Sequence, residues 1–158
     1  MKKIMLAALV ALGITACNQK GQGSEDQAVD WKDGIVGEWV YQAATDDTPE
    51  AMHYQITLDI KADGQMTETE HYTQQASGEN PAIDTDGNIF KGSWELRNDT
   101  LMKDGQMSVL VGKEVKPEGE QERSDRNVKG YTRLTAVTPD SLFTVDMAGN
   151  TIVFVRKK

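Results

Sequence analysis

The sequence predicts an all-β chain, an antiparallel up-and-down meander of eight or nine short strands closing into a barrel, on three observations. Apolar side chains recur at every second position, as half-buried strands require. Turn dipeptides punctuate the chain at short intervals: Asp63-Gly64, Asp86-Gly87, Asn98-Asp99, Asp104-Gly105, Pro139-Asp140 and Ala148-Gly149. No window carries apolar residues at the i, i+3, i+4 spacing of a helix. With 158 residues, four prolines and fourteen glycines, one modest domain is expected, over residues 35–158.

Before the domain comes an address. Lys2 and Lys3 precede an uncharged apolar run from Ile4 to Ile14, followed by the small residues Thr15 and Ala16 and then Cys17. That order is a secretory signal over residues 1–16, with a run too short for the roughly 20 helical residues that cross a bilayer. Ile14-Thr15-Ala16-Cys17 resembles the lipobox of bacterial lipoproteins, with Ile14 in place of the usual leucine. The resemblance implies that Cys17 is acylated with fatty chains, palmitate among them, and becomes the new N-terminus. Each buried methylene adds about 0.8 kcal/mol, so more than one chain holds the protein to a lipid bilayer. Asn18 at the following position implies outer-membrane delivery within the cell envelope. Residues 17–34 then read as a lipidated cysteine and a polar, Gly-bearing tether. Without the two leading lysines, 15 basic side chains face 25 acidic ones, a net charge of −10 that argues against nucleic acid.

The strands follow in order over 36–43, 53–61, 66–74, 88–96, 100–103, 106–112, 128–137, 141–147 and 150–156. In the second, Ile56, Leu58 and Ile60 alternate with polar residues, and Asp63-Gly64 gives a two-residue hairpin loop. That loop sets Ile60 opposite Thr67, Leu58 opposite Thr69, Ile56 opposite His71 and Tyr54 opposite Thr73. A slip of one would bring Glu68 and Glu70 beside the aliphatic side chains, so Thr67, Thr69 and His71 are expected inward. Between the two ends, Phe90, Trp94, Leu96 and Leu101 are the expected inward residues. At the C-terminal end, the same reasoning pairs Leu134 with Val145, Ala136 with Phe143, Val145 with Ile152, and Phe143 with Phe154. Residues 75–87 and the charged stretch 113–127 are expected as longer loops.

Gly37-Glu38-Trp39 at the start of the first strand, with Arg156 after Phe154 at the end of the last, resembles the Gly-x-Trp signature and terminal Arg of the lipocalins. The resemblance covers residues 35–158 and implies a lipocalin-like barrel in a bacterial lipoprotein. It also implies that Arg156 packs over Trp39 beside Gly37 and seals one end.

A meander of this size either fills its interior or holds one small ligand. Hydroxyls facing an apolar core favour a pocket, since each unsatisfied one costs about 1–3 kcal/mol. A small hydrophobic ligand would be bordered by Tyr54, Ile56, Leu58, Thr67, Thr69, His71, Phe90, Trp94, Leu134, Phe143 and Phe154. The other class is a non-enzymatic interaction or inhibitor module, with a filled barrel whose loops bind another envelope protein. An enclosed space above about 300 Å³ favours the carrier. Catalysis and cofactors are not expected, because His53 and His71 are the only histidines and neither sits in a nucleophile motif. One cysteine excludes an internal disulfide and thiolate zinc sites. Asp84-x-Asp86-Gly87-Asn88 places its glycine at the wrong position for a calcium loop and reads as a turn. Met102 and Met107 are expected to pair across the Asp104-Gly105 turn as core filling.

Overall fold

The computed structural model describes residues 31–46, 48, 51–78, 81–111, 115–116 and 119–158. The signal segment, Cys17 and the tether up to residue 30 lie outside the described residues. One helical turn, α1 (Lys32–Ile35), leads into eight strands: β1 (Gly37–Ala44), β2 (His53–Ile60), β3 (Gln65–Gln74), β4 (Ile83–Arg97), β5 (Thr100–Leu110), β6 (Arg123–Val137), β7 (Ser141–Val145) and β8 (Thr151–Arg156). Each strand pairs antiparallel with the next, and β1 returns to β8 through Trp39↔Arg156 and Val40↔Val155, so the sheet closes into a barrel.

Two expected turns are strand interior instead. The two strands expected over 100–103 and 106–112 merge into the single strand β5, which runs from Thr100 to Leu110 with Asp104 opposite Ser93 and Gly105 opposite Gly92. A Cβ on either glycine would collide with the facing strand's backbone, so the pair serves close strand approach and not chain reversal. Met102 and Met107 therefore lie along one strand, opposite Glu95 and Phe90. Asp86-Gly87 sits inside β4, where the Tyr72 ring occupies the space that a side chain at Gly87 would need. Consequently β4 starts at Ile83, within the stretch read as a loop, and β6 starts at Arg123, within the other.

The register of both terminal hairpins differs from expectation by one residue, for one reason. The β2–β3 loop has three residues, Ala62-Asp63-Gly64, because Lys61 pairs with Gln65 (N–H to O 2.9 Å) and Gly64 takes φ +84°. A turn followed by a left-handed glycine is the common three-residue hairpin connection, and it moves every partner across the sheet. Leu58 lies opposite Glu68, Ile56 opposite Glu70 and Tyr54 opposite Tyr72. Glu68 and Glu70 thus face the interior, and Thr67, Thr69 and His71 face outward. Met147-Ala148-Gly149 repeats the device, with Asp146 bonded to Asn150 (3.0 Å) and Gly149 at φ +88°. Leu142 pairs with Phe154 and Thr144 with Ile152, placing Phe143 on the outer face. Ala136 does pair with Phe143, but a bulge then sets Leu134 against Thr144 instead of Val145. The Asn98-Asp99 turn is a two-residue loop as expected, joining Arg97 to Thr100.

The core occupies the end where β1 begins and β8 finishes. Ile35, Trp39, Ile60, Leu134 and Leu142 are fully buried there, with Met66, Trp94 and Leu101 packed around them. At the other end the strands are uneven. β7 stops at Val145, opposite Arg133, and the preceding residues of β6 have no strand on that side among the described residues.

Candidate functional site

One end of the barrel is sealed by a polar clamp on an indole. Trp39 is buried and donates its Nε1–H to Ile35 O at 2.7 Å, tying β1 to the helical turn before it. The guanidinium of Arg156 lies 4.0 Å from the centre of the Trp39 ring, a cation–π contact. It also donates to three carbonyls: Gly34 (2.8 Å), Val36 (2.9 Å) and Pro139 (2.5 Å). Gly37 leaves the room for this, since a side chain there would run into the guanidinium. Three segments distant in sequence thus meet on one cation.

Inside the barrel, beyond this seal, lies a pocket of about 280 Å³. Its walls are mostly apolar, from Ile56 and Leu58 on β2, Leu101 on β5, Leu142 on β7, and Ile152 and Phe154 on β8. One polar feature interrupts them. Lys103 Nζ lies 2.5 Å from Glu68 Oε2, and the two side chains are 15% and 23% exposed, so the pair is largely removed from water. The Lys103 ammonium also sits 5.2 Å from the centre of the Phe90 ring. The mouth is lateral, between Tyr131 and Thr132 of β6 and the Val145–Met147 corner after β7. Tyr131 and Met147 there are strongly exposed.

A second polar group stands higher in the interior. Glu70 accepts from the Tyr72 hydroxyl (3.1 Å), from Asn88 N–H (3.2 Å) and from Asn88 Nδ2 (2.9 Å), so its inward carboxylate is satisfied. Burial, and then the charge of Glu70, push the Tyr72 hydroxyl up to about 12. Tyr54 is raised as well, chiefly by its hydrogen bond with Tyr41. Tyr41, Tyr54 and Tyr72 form an aromatic row across three strands, at centroid separations of 5.9 and 6.4 Å.

Of the ligand-site residues expected from sequence, Ile56, Leu58 and Phe154 line the pocket. Phe90, Trp94 and Leu134 belong to the core and not to the pocket lining, with Trp94 bonded through Nε1 to Lys61 O at 2.8 Å, and Tyr54 stands in the tyrosine row. Thr67, Thr69, His71 and Phe143 face outward and belong to no interior site. His71 is held between Asp84 (3.1 Å from Nε2) and Asp86 (3.0 Å from Nδ1) on the outer surface. Sequence reasoning missed Glu68, Lys103, Leu142, Thr144 and Ile152 as lining residues. For Glu68, Leu142 and Thr144 the available signal was the extra residue in each glycine-ended loop, which reverses the inward set of β3 and β7; Lys103 and Ile152 already share a face with the expected Leu101 and Phe154. Among the described residues, no group of three or more His, Cys, Asp or Glu side chains could hold a metal ion.

Fold and site together define a small closed eight-stranded barrel with a half-open interior pocket. No protein-family model matches the chain, and none of the curated proteins compared with it matches.

Proposed function

We infer that this protein is a lipid-anchored, lipocalin-like lipoprotein of the cell envelope that takes a small amphipathic molecule into its barrel. The observation that carries the reading is an apolar-walled interior pocket with one ion pair, Glu68–Lys103, set into its wall. Such a site suits a ligand with a greasy body and one polar or charged head, which would compete for the ammonium or the carboxylate. At about 280 Å³ and half-open, the pocket falls just short of the enclosed space of about 300 Å³ expected of a carrier, below the roughly 300–1,000 Å³ that ligand sites span, so the reading rests on the chemistry of the wall and not on volume. The lipocalin-like assignment draws on Gly37, Trp39 and Arg156 and on the contact among them. The anchor draws on Lys2, Lys3, the apolar run and Ile14-Thr15-Ala16-Cys17.

Native mass spectrometry of the full chain extracted from membranes tests the reading. The expected result is a co-purifying small mass, together with saturable binding of an anionic fluorescent amphiphile. Thr132→Trp, which fills the pocket from its rim, should keep the melting temperature and weaken the amphiphile at least tenfold. Absence of both the co-purifying mass and amphiphile binding overturns the carrier and favours the partner-binding module.

A further inference from the structure

Among the described residues, β6 has an open edge. Arg133 pairs with Val145, the last residue of β7, so Arg123–Thr132 has a described strand on one side only, that of β5. Hydrogen-bond parity shows which groups are left over. Val111 N–H bonds to Glu122 O and Leu134 N–H to Asp99 O, so even-numbered residues of β6 turn their backbone groups toward β5. Arg123, Asp125, Asn127, Lys129 and Tyr131 therefore aim N–H and C=O at the open side. Residues 123–127 are exposed on both faces, as are Lys129 and Tyr131. Exposed edges of this kind are templates for a further strand.

The side chains along that edge select the occupant. Asp125 has no ion-pair partner among the described residues, whereas Lys129 lies 2.8 Å from Asp104 with its side chain 83% exposed. A second copy of the edge, related by a two-fold axis through Asn127, brings Asp125 of each chain opposite Lys129 of the other. The row across the joined sheets then alternates in sign: Asp104, Lys129, the other copy's Asp125. Sliding the register by two residues one way sets Lys129 against Arg123, and the other way sets Asp125 against Tyr131. Sliding by four sets Asp125 against Asp125 or Lys129 against Lys129. Like charges directly opposite are destabilising, so among these registers only the one centred on Asn127 carries opposite charges across the join, and it keeps more of the edge paired than a slide of six that sets Arg123 against Asp125.

We propose that two copies of this chain associate edge to edge through β6, antiparallel and centred on Asn127, extending each barrel wall into a shared sheet. The contact is isologous and short, so it is weak between free copies and gains from the high local concentration of anchored ones. The contact needs no ligand in the pocket, and its far end, Tyr131, also stands at the pocket rim. Asn127→Cys in the full chain in its membrane tests it. The two Cα atoms of a hydrogen-bonded antiparallel pair lie about 5.5 Å apart, within reach of a short thiol crosslinker. The expected result is a crosslinked species of twice the mass. Adding Lys129→Asp should lower its yield at least tenfold, and adding Asp125→Lys to that variant should restore it. Circular dichroism of each variant checks that these exposed positions leave the barrel folded. No species of twice the mass, an equal yield after Lys129→Asp, or a product that contains a different protein would each overturn the proposal.

Discussion

Glu68 and Lys103 show how a single residue pair carries a consequence for the interior. Each neutralises the other at 2.5 Å in surroundings where water is scarce. Removing one partner leaves a charge without compensation, while replacing both by apolar groups is tolerated. Lys103→Met is expected to cost about 3 kcal/mol, and Glu68→Leu with Lys103→Met about 1 kcal/mol or less, read by urea denaturation. Tyr72 offers a pH readout. Its hydroxyl is raised to about 12 in the folded chain against 10.0 ordinarily, so the folded state holds the proton more tightly. The resulting stability is complete below pH 10 and is lost as pH rises through about 12. Tyr72→Phe should flatten the fall of melting temperature across that window, and cost about 1 kcal/mol at neutral pH through loss of the bond to Glu70.

At the scale of the element, loop length decides more than strand composition. Each terminal hairpin holds one residue more than its Asp-Gly or Ala-Gly dipeptide suggests, and that residue turns Glu68 and Thr144 inward and His71 and Phe143 outward. Gly149, at φ +88° in an open corner with no atom near a would-be Cβ, isolates the backbone effect. Gly149→Ala should therefore destabilise by about 1 kcal/mol through the left-handed conformation alone, measured as a shift in denaturation midpoint. The strands themselves were legible, since alternation over Tyr54–Ile60 and the turns at Asn98-Asp99 and Pro139-Asp140 are local properties of the chain. The faces were not legible. Keeping two glutamates out of the core is sound reasoning for a strand pair in isolation, and it fails once Lys103 from β5 and Asn88 from β4 supply partners. Glycine misled in a similar way. Gly87 and Gly105 follow aspartates, as turn glycines do, yet each makes room for something across the sheet.

For the whole molecule, closure depends on one short seam. β1 and β8 share only the pairs Trp39↔Arg156 and Val40↔Val155, reinforced by Lys157 N–H to Glu38 O at 2.9 Å. Arg156 joins this seam to α1 and to the β6–β7 turn through its bonds to Gly34, Val36 and Pro139. Arg156→Ala should cost about 2–4 kcal/mol and lower the melting temperature, with exchange of the Val40 and Trp39 amides quickening before those of β3–β5. Arg156→Lys should recover only part, because an ammonium cannot lie flat on the indole and fork to several carbonyls.

Alternation, turn dipeptides and the two ends of the Gly37-x-Trp39 and Arg156 pattern were sufficient by themselves to establish an all-β meander and which residues belong to its first and last strands. These are short-range signals, written in steric and hydrophobic preferences of neighbouring residues. Which side chains face the interior, where the strands end unevenly, and that an ion pair sits in the pocket wall were decided only by the closed barrel. Each depends on what another strand places opposite, and a carboxylate becomes an interior residue only when a distant ammonium or amide is there to receive it.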